Sequence, residues 1–89
     1  MRRVKETKKY RKDFERQVRR GKEIKKLIAV IDLLIEDGAL PSPYWPHSLR
    51  GEWHGTEECH IESDWLLIYA TDDMTVKLYR TGTHADLFE

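Results

Sequence analysis

The amino-acid sequence predicts an α+β domain in which two N-terminal helices pack on a small, mainly antiparallel β-sheet. Apolar residues recur at helical spacing in the first 37 residues, whereas short aromatic and branched runs separated by turn residues fill the second half. The 89 residues contain no internal repeat and no Gly/Ser linker, and 39% of them are hydrophobic. We therefore expect one domain that spans residues 1–89 and has its own core.

The second helix has the clearest pattern. Within residues 22–37, the i, i+3, i+4, i+7 and i+11 positions of one helical face carry Ile24, Leu27, Ile28, Ile31 and Ile35. Gly38 suits the position that follows a helix. The three prolines within residues 41–46 prevent any continuation and predict a loop.

The first helix carries one narrow apolar stripe on an otherwise basic surface. Tyr10, Phe14 and Val18 recur at i, i+4 and i+8, and Thr7 can cap the N-terminus. Gly21 separates this helix from the second one, and so short a break predicts an antiparallel pair.

The second half of the chain predicts an antiparallel meander. Residues 65–69 form a short apolar run that is typical of a strand buried on both faces. Residues 71–73 predict a turn, and the alternation in residues 76–81 predicts a half-exposed strand paired with the previous one. Residues 52–61 can supply a third strand, and Val4 indicates a short edge strand.

Composition argues against a membrane or secreted protein. The longest apolar stretch, residues 27–35, includes Asp32 and is about half the length needed to cross a bilayer. The charged start has no apolar run behind it, so we expect no secretory signal. The lone Cys59 has no partner for an internal disulfide, which is typical of the reducing cytoplasm.

The formal net charge of zero hides a strong asymmetry between the two parts of the chain. Residues 1–26 hold 13 Lys/Arg against four acids, whereas residues 27–89 hold three Lys/Arg against 12 acids. A basic segment of this kind suits a polyanion such as RNA, which it binds by releasing condensed counterions. Composition alone leaves open the alternative that this is only a solvated helical face.

The four histidines, His47, His54, His60 and His84, all lie in the acidic part. Imidazole both accepts and donates a proton near neutral pH. A metal site is not expected, because the adjacent Cys59 and His60 would point to opposite faces of a strand and no Cys-x-x-Cys or His-x-x-x-His motif occurs. Cys59 itself suits a small buried hydrophobic residue better than a nucleophile. We therefore expect neither a metal nor any other cofactor.

With a metal site and a nucleophilic cysteine set aside, the chemistry that remains for these side chains is acid–base cleavage of a phosphodiester without a metal. RNA carries its own nucleophile, the 2′-hydroxyl group, so an enzyme needs only a base, an acid, a cation for the phosphorane and a surface that orients the nucleotide. The available side chains for these tasks are His47, His60, Asp64, His84, Arg80 and Phe88.

Three blocks of the sequence carry a family resemblance. Residues 47–55 (HSLRGEWHG), 59–69 (CHIESDWLLIY) and 80–88 (RTGTHADLF) combine histidine and tryptophan at fixed spacings. Together they resemble the YafQ branch of the RelE-like toxins of bacterial type II toxin–antitoxin systems. The resemblance covers essentially the whole chain, and it implies the RelE/ParE-like, microbial ribonuclease-like fold.

The resemblance also implies an mRNA endonuclease that works in the ribosomal A site and is silenced by a cognate antitoxin protein. It assigns His47 or His60 as the base, His84 as the general acid, Asp64 as the residue that orients His84, and Phe88 as the base-stacking residue. Plainer alternatives stay open: Asp64 as a turn cap, Phe88 as a C-terminal core residue and His60 as a structural strand histidine.

The basic helices can engage ribosomal RNA or an acidic antitoxin segment. The predicted RNA-binding residues are Lys8, Lys9, Arg11, Lys12, Arg19, Arg20, Arg50 and Arg80. For Arg80, phosphate binding and the pairing of a strand neighbour are equally open. Trp53 and Trp65 are assigned to packing and His54 to the surface.

Two other functions fit the same fold. A ParE-like toxin would act by binding alone and would need no histidine cluster, and a plain RNA-binding module would bind without cleavage. The three histidines shared with the YafQ branch favour the nuclease.

Overall fold

The computed structural model describes residues 1–88 and has the expected α+β architecture. In chain order its helices and strands are β1 (Arg3–Glu6), α1 (Lys8–Arg19), α2 (Ile24–Asp37), β2 (His47–Ser48), β3 (Glu57–Glu62), β4 (Trp65–Thr71), β5 (Thr75–Gly82) and α3 (His84–Phe88). Single 3₁₀ turns at Ser42–Tyr44 and Gly51–Trp53 flank β2. No helix within these residues is long and apolar enough to cross a membrane.

The five strands form one mixed sheet in the order β1-β5-β4-β3-β2. All neighbours are antiparallel except β1 and β5, which pair in parallel, so the short edge strand at Val4 is confirmed. The third strand begins at Glu57 rather than at Glu52. The left-handed backbone of Gly51 and Gly55, with φ values of 68° and 91°, prevents an extended strand before that point.

Helix α1 buries a different stripe from the apolar one. The Thr7 hydroxyl accepts a hydrogen bond from the Tyr10 backbone N–H at 3.0 Å, which confirms the predicted cap. Tyr10 is buried, but the buried positions that follow it are the polar Asp13 and Gln17, whereas Val18 is 50% exposed. The expectation for Val18 was wrong because Asp13 faces the sheet, where it meets polar partners.

Helix α2 packs on the sheet through Leu27, Val30 and Leu34, which are fully buried. The predicted stripe was offset from the buried one, since it omitted Val30 and Leu34 and included Ile28, which is 46% exposed. Gly38 ends the helix as predicted: its φ is 71°, and its N–H donates to the Leu34 carbonyl at 3.0 Å.

Strand β4 is buried on both faces, as its sequence predicts. On the helix side Trp65, Leu67 and Tyr69 join the main core. On the other side Leu66 and Ile68 form a smaller core with Leu87, and Leu49, Trp53 and Tyr79 pack around it. This second face is only partly covered, and it carries the side chains described next.

Candidate active site

The register of the sheet brings distant histidines to one end of the second face. Leu66 of β4 pairs with His60 of β3 on one side and with Gly82 of β5 on the other. His84 follows Gly82 by two residues and opens α3. Residues paired across antiparallel strands share a face, so His60 and His84 come to lie side by side.

Three imidazole rings meet there. His47 of β2 pairs with Glu58 of β3, two residues before His60. The ring centroids of His47 and His60 are 6.4 Å apart, and those of His60 and His84 are 5.8 Å apart. The structure therefore brings together the three histidines that the sequence predicted, with His60 in contact with both of the others.

Asp64 lies beside this row, in the turn between β3 and β4. One carboxylate oxygen, Oδ1, accepts the His84 backbone N–H at 2.9 Å and lies 2.7 Å from His84 Nδ1. These two hydrogen bonds hold the pKa of Asp64 below its usual range. Asp64 is thus an ionised partner of His84, twenty residues along the chain, rather than only a cap for its own turn.

Phe88 is exposed at the end of α3. It follows His84 by four residues, so both side chains lie on one face of this short helix. Its exposed fraction is 46%, whereas the neighbouring Leu87 is buried in the second core. The alternative of Phe88 as a core residue is therefore wrong, because Leu87 takes that role.

A buried carboxylate supports the histidine row. Glu58 is 5% exposed, and its Oε1 lies 3.2 Å from His47 Nε2 and 3.8 Å from His60 Nε2. The sequence reasoning missed Glu58, although residues two apart on a strand share a face and Glu58 precedes His60 by two. Glu58 therefore contacts two of the three rings of the row.

Trp45 also borders the row and was also missed. Its ring centroid is 5.6 Å from that of His60, and its carbonyl oxygen is 3.0 Å from His47 Nδ1. The side chain is 70% exposed. Its backbone is left-handed, with φ of 54°, which costs a non-glycine residue about 1–2 kcal/mol.

An ion-pair cluster anchors α3 to α1. Asp86 accepts from Arg20 Nη1 at 2.6 Å and from Nη2 at 3.0 Å, with Arg16 at 3.5 Å. Asp86 and Thr83 also form a reciprocal capping pair: each backbone N–H donates to the side chain of the other. The Arg20 guanidinium holds the pKa of Asp86 well below its usual range. The Thr-x-x-Asp spacing was the sequence signal for this cap.

Two of the predicted RNA-binding residues are in hydrogen-bonded ion pairs within the protein. Arg20 binds Asp86, and Arg80 binds the buried Asp13 through Nε at 2.6 Å and Nη2 at 3.1 Å. Arg80 is thus paired within the protein, but with a residue of α1 and not with the strand neighbour that the alternative named. The RNA role of all eight residues stays a prediction. The other six are exposed: Lys8, Lys9, Arg11, Lys12, Arg19 and Arg50.

The remaining expectations concern residues outside the row. His54 is exposed and Trp65 is fully buried, as predicted. Burial raises the pKa of the Cys59 thiol to about 12, which makes it unsuited to act as a nucleophile. Among residues 1–88, no group of three or more His, Cys, Asp or Glu side chains has the arrangement of a metal site.

The comparison with known proteins agrees with this geometry. Residues 2–89 match the family model described as bacterial toxin of type II toxin–antitoxin system, YafQ. The chain belongs to the YafQ toxin family. The resemblance seen in the sequence is therefore confirmed, and with it the toxin class.

Similar YafQ-type proteins include a curated relative and solved structures. The mRNA interferase toxin YafQ of Escherichia coli strain K12 is 42% identical over 80 residues, which are 89% of this chain and 87% of the relative. The YafQ structure in the E. coli DinJ–YafQ toxin–antitoxin complex is 39% identical, with a TM-score of 0.90 over 99% of this chain and 98% of that chain.

A third similar structure is a metal-bound toxin from Helicobacter pylori. It is 33% identical to this YafQ-family chain, with a TM-score of 0.89 over 99% of this chain and all of the other. Metal binding therefore occurs in at least one toxin of the same fold. The expectation of metal-free chemistry in this chain stays a prediction.

Proposed function

We propose that this YafQ-family toxin is an mRNA interferase, a metal-independent endoribonuclease that cuts mRNA in the ribosomal A site through attack of the 2′-hydroxyl. The observation that carries the proposal is the exposed row of three histidine rings with Asp64 bonded to His84. The E. coli relative is an mRNA interferase toxin, which supports the same activity here. The site of action is the cytoplasm, where ribosomes translate mRNA.

His84 is the general acid. Its Nδ1 lies 2.7 Å from Oδ1 of the ionised Asp64, and this contact fixes the orientation of the ring. The side chain is 52% exposed, so its other ring nitrogen is open to a substrate. In this role His84 protonates the 5′-oxygen leaving group.

His60 is the general base, and His47 is the cation. Both ring nitrogens of His47 face acceptors: Nδ1 lies 3.0 Å from the Trp45 carbonyl oxygen, and Nε2 lies 3.2 Å from Glu58 Oε1. The nearest Glu58 oxygen is 3.8 Å from His60 Nε2, beyond hydrogen-bond distance, so His60 can accept a proton. His47 then stabilises the negative charge of the phosphorane.

Phe88 and the basic helices supply orientation. Phe88 offers an exposed ring near His84 on which a nucleobase can stack. The exposed basic side chains of α1 can engage ribosomal RNA, which would position this small catalytic face over mRNA. They also suit a cognate antitoxin, the kind of partner that DinJ is for the E. coli relative.

The decisive experiment is inducible expression in bacteria with mapping of new mRNA 5′ ends. We expect cuts within codons of translated messages and a cyclic 2′,3′-phosphate on each upstream fragment. A single 2′-deoxy substitution at the scissile nucleotide should block cleavage on purified programmed ribosomes. Cleavage of free RNA at the same rate as ribosome-bound RNA would contradict ribosome dependence.

Metal independence has its own test. A phosphorothioate at the scissile phosphate weakens binding of a hard cation such as Mg²⁺, and thiophilic ions restore it. We expect no rescue of cleavage by Mn²⁺ or Cd²⁺. Clear rescue would show that a metal ion contacts the reacting phosphate.

The first prediction concerns the pH dependence of cleavage. Because the folded-state pKa of Asp64 lies below its usual value, its charge is present above about pH 4 and is lost only as pH falls below that. Asp64→Asn keeps an oxygen acceptor for the His84 N–H and removes the charge. Cleavage by the variant should therefore be slower than that by the wild type throughout the range above about pH 4, where the wild-type carboxylate is charged. A rate equal to that of the wild type would show that the acceptor oxygen at this position is sufficient and that its charge is not needed.

The second prediction concerns the anchoring of α3. Asp86→Ala removes the contacts to Arg20 and Thr83, and the resulting displacement of His84 should slow cleavage by up to about 100-fold. Loss of the cap should cost about 1 kcal/mol, or a few degrees in Tm. The control is Asp32→Ala, an exposed acid on α2. Full activity of Asp86→Ala would show that α3 keeps its place without the ion pair.

A further inference from the structure

The distribution of exposed aromatic side chains is the starting point. The chain has three Trp, four Tyr and two Phe. Seven of these nine side chains are buried or half-buried, and only Trp45 and Phe88 are exposed. Both lie beside the histidine row. The exposure of a single tryptophan is ordinary, but its position here gives a ligand bound at the row an aromatic surface within reach.

Trp45 is held in place rather than carried on a free loop. Its N–H donates to the Ser42 carbonyl at 2.8 Å, which closes the 3₁₀ turn, and its carbonyl faces His47 Nδ1. The preceding Tyr44 is half-buried and packs against the main core. The following Pro46 restricts the backbone further. A flat, fixed and exposed ring loses little conformational freedom when it binds a planar partner.

The sheet order places Trp45 and Phe88 on opposite sides of His60. Trp45 precedes β2, the outer neighbour of β3, whereas α3 follows β5, on the far side of β4. His60 lies in β3 between them and contacts the ring of Trp45 at 5.6 Å and that of His84 at 5.8 Å. An RNA strand that crosses the row with its phosphate at His60 would present one base to each side.

We propose that Trp45 is a second base-stacking platform, which binds the nucleobase on the β2 side of the scissile phosphate while Phe88 binds the one on the α3 side. The inference rests on the proposed ribonuclease function. Proteins that bind single-stranded RNA commonly hold splayed bases on aromatic rings, and the interaction tolerates every base because each has a π-face. Trp45 therefore contributes to binding and orientation of the substrate, with a stronger stack for purines.

The test is a double-mutant cycle between the protein and the RNA on programmed ribosomes. Trp45→Ala, Trp45→Phe and Trp45→Leu are each assayed on mRNA with an abasic residue placed in turn on either side of the scissile bond. We expect Trp45→Ala to lower kcat/KM about 5- to 150-fold, and Phe but not Leu to restore most of it. In the wild type, an abasic residue on the β2 side of the scissile phosphate should lower kcat/KM by the same factor. In Trp45→Ala, the same abasic residue should cause no further loss of kcat/KM.

Each outcome separates the possibilities. The inference would be overturned if the effect of Trp45→Ala on kcat/KM simply added to that of an abasic residue at either position. It would also be overturned if Leu restored cleavage as well as Phe does, since Trp45 would then only pack against His60. Unchanged cleavage with weakened antitoxin binding would overturn it in favour of a protein contact. A wild type that cuts no mRNA would overturn the proposed function, and the inference with it. Met74→Ala, which alters a side chain 73% exposed in the β4–β5 turn, is the control.

Discussion

Replacing His84 with alanine is expected to reduce mRNA cleavage on programmed ribosomes by about 10²–10⁴-fold, the usual contribution of a general acid or base. The loss should fall mainly on kcat, because His84 acts on the leaving group in the transition state. The side chain is 52% exposed, and its backbone N–H can still donate to Asp64 after the change. The variant should therefore fold normally, with a Tm close to that of the wild type.

The controls for His84→Ala separate catalysis from binding. His54→Ala removes an exposed histidine that lies outside the row, and it should leave cleavage and toxicity unchanged. A toxin that acts only by binding, as a ParE-like protein would, should stay toxic after the change at His84. If the variant still arrested growth but no longer cleaved mRNA, toxicity would not depend on cleavage and the nuclease mechanism would be wrong. The His84→Ala variant can also be assayed with RNA substrates that differ in the basicity of the leaving group. Slow cleavage with a basic leaving group and normal cleavage with an activated one would identify His84 as the general acid.

The order of helices and strands was predictable because it depends on local patterns. Caps at Thr7 and Gly38, the proline loop and the doubly buried run of residues 65–69 all follow from neighbours within a few residues. The predicted stripe on α1 was less accurate. No local pattern shows that Asp13 is buried, because its partner Arg80 lies 67 residues away in sequence.

The site shows the same division between local and long-range information. The catalytic roles of five residues were assigned through the family resemblance: His47, His60, Asp64, His84 and Phe88. Their convergence depends on the register between β3, β4 and β5, which one sequence does not reveal. Glu58 and Trp45 were missed for a different reason. A buried acid and an exposed tryptophan are each unremarkable in sequence, and they gain meaning only from their contacts with His47 and His60.

Loss of the Asp13 carboxylate is expected to have the largest effect on stability. Asp13 is 2% exposed and accepts hydrogen bonds from Arg80 Nε, from Arg80 Nη2 and from the Thr81 backbone N–H at 3.2 Å. Asp13→Ala leaves Arg80, whose side chain is only 17% exposed, without its counter-charge. Breaking a buried ion pair from one side costs about 3–5 kcal/mol, a large part of the stability of a domain of this size.

The expected measurement is a lower midpoint in urea unfolding with an unchanged m-value, and Asp32→Ala on the exposed face of α2 is the matched control. The double variant Asp13→Leu/Arg80→Met should regain much of the loss, because it removes both charges and leaves neither unpaired. If Asp13→Ala alone were as stable as the wild type, the ion pair would be too well hydrated to contribute to the free energy of unfolding.

Because Arg80 and Thr81 lead directly into Gly82 and His84, the same variant tests whether the buried pair also positions the general acid. In that case the cleavage rate per folded molecule of Asp13→Ala would fall as well, whereas a purely structural pair would change only the folded fraction.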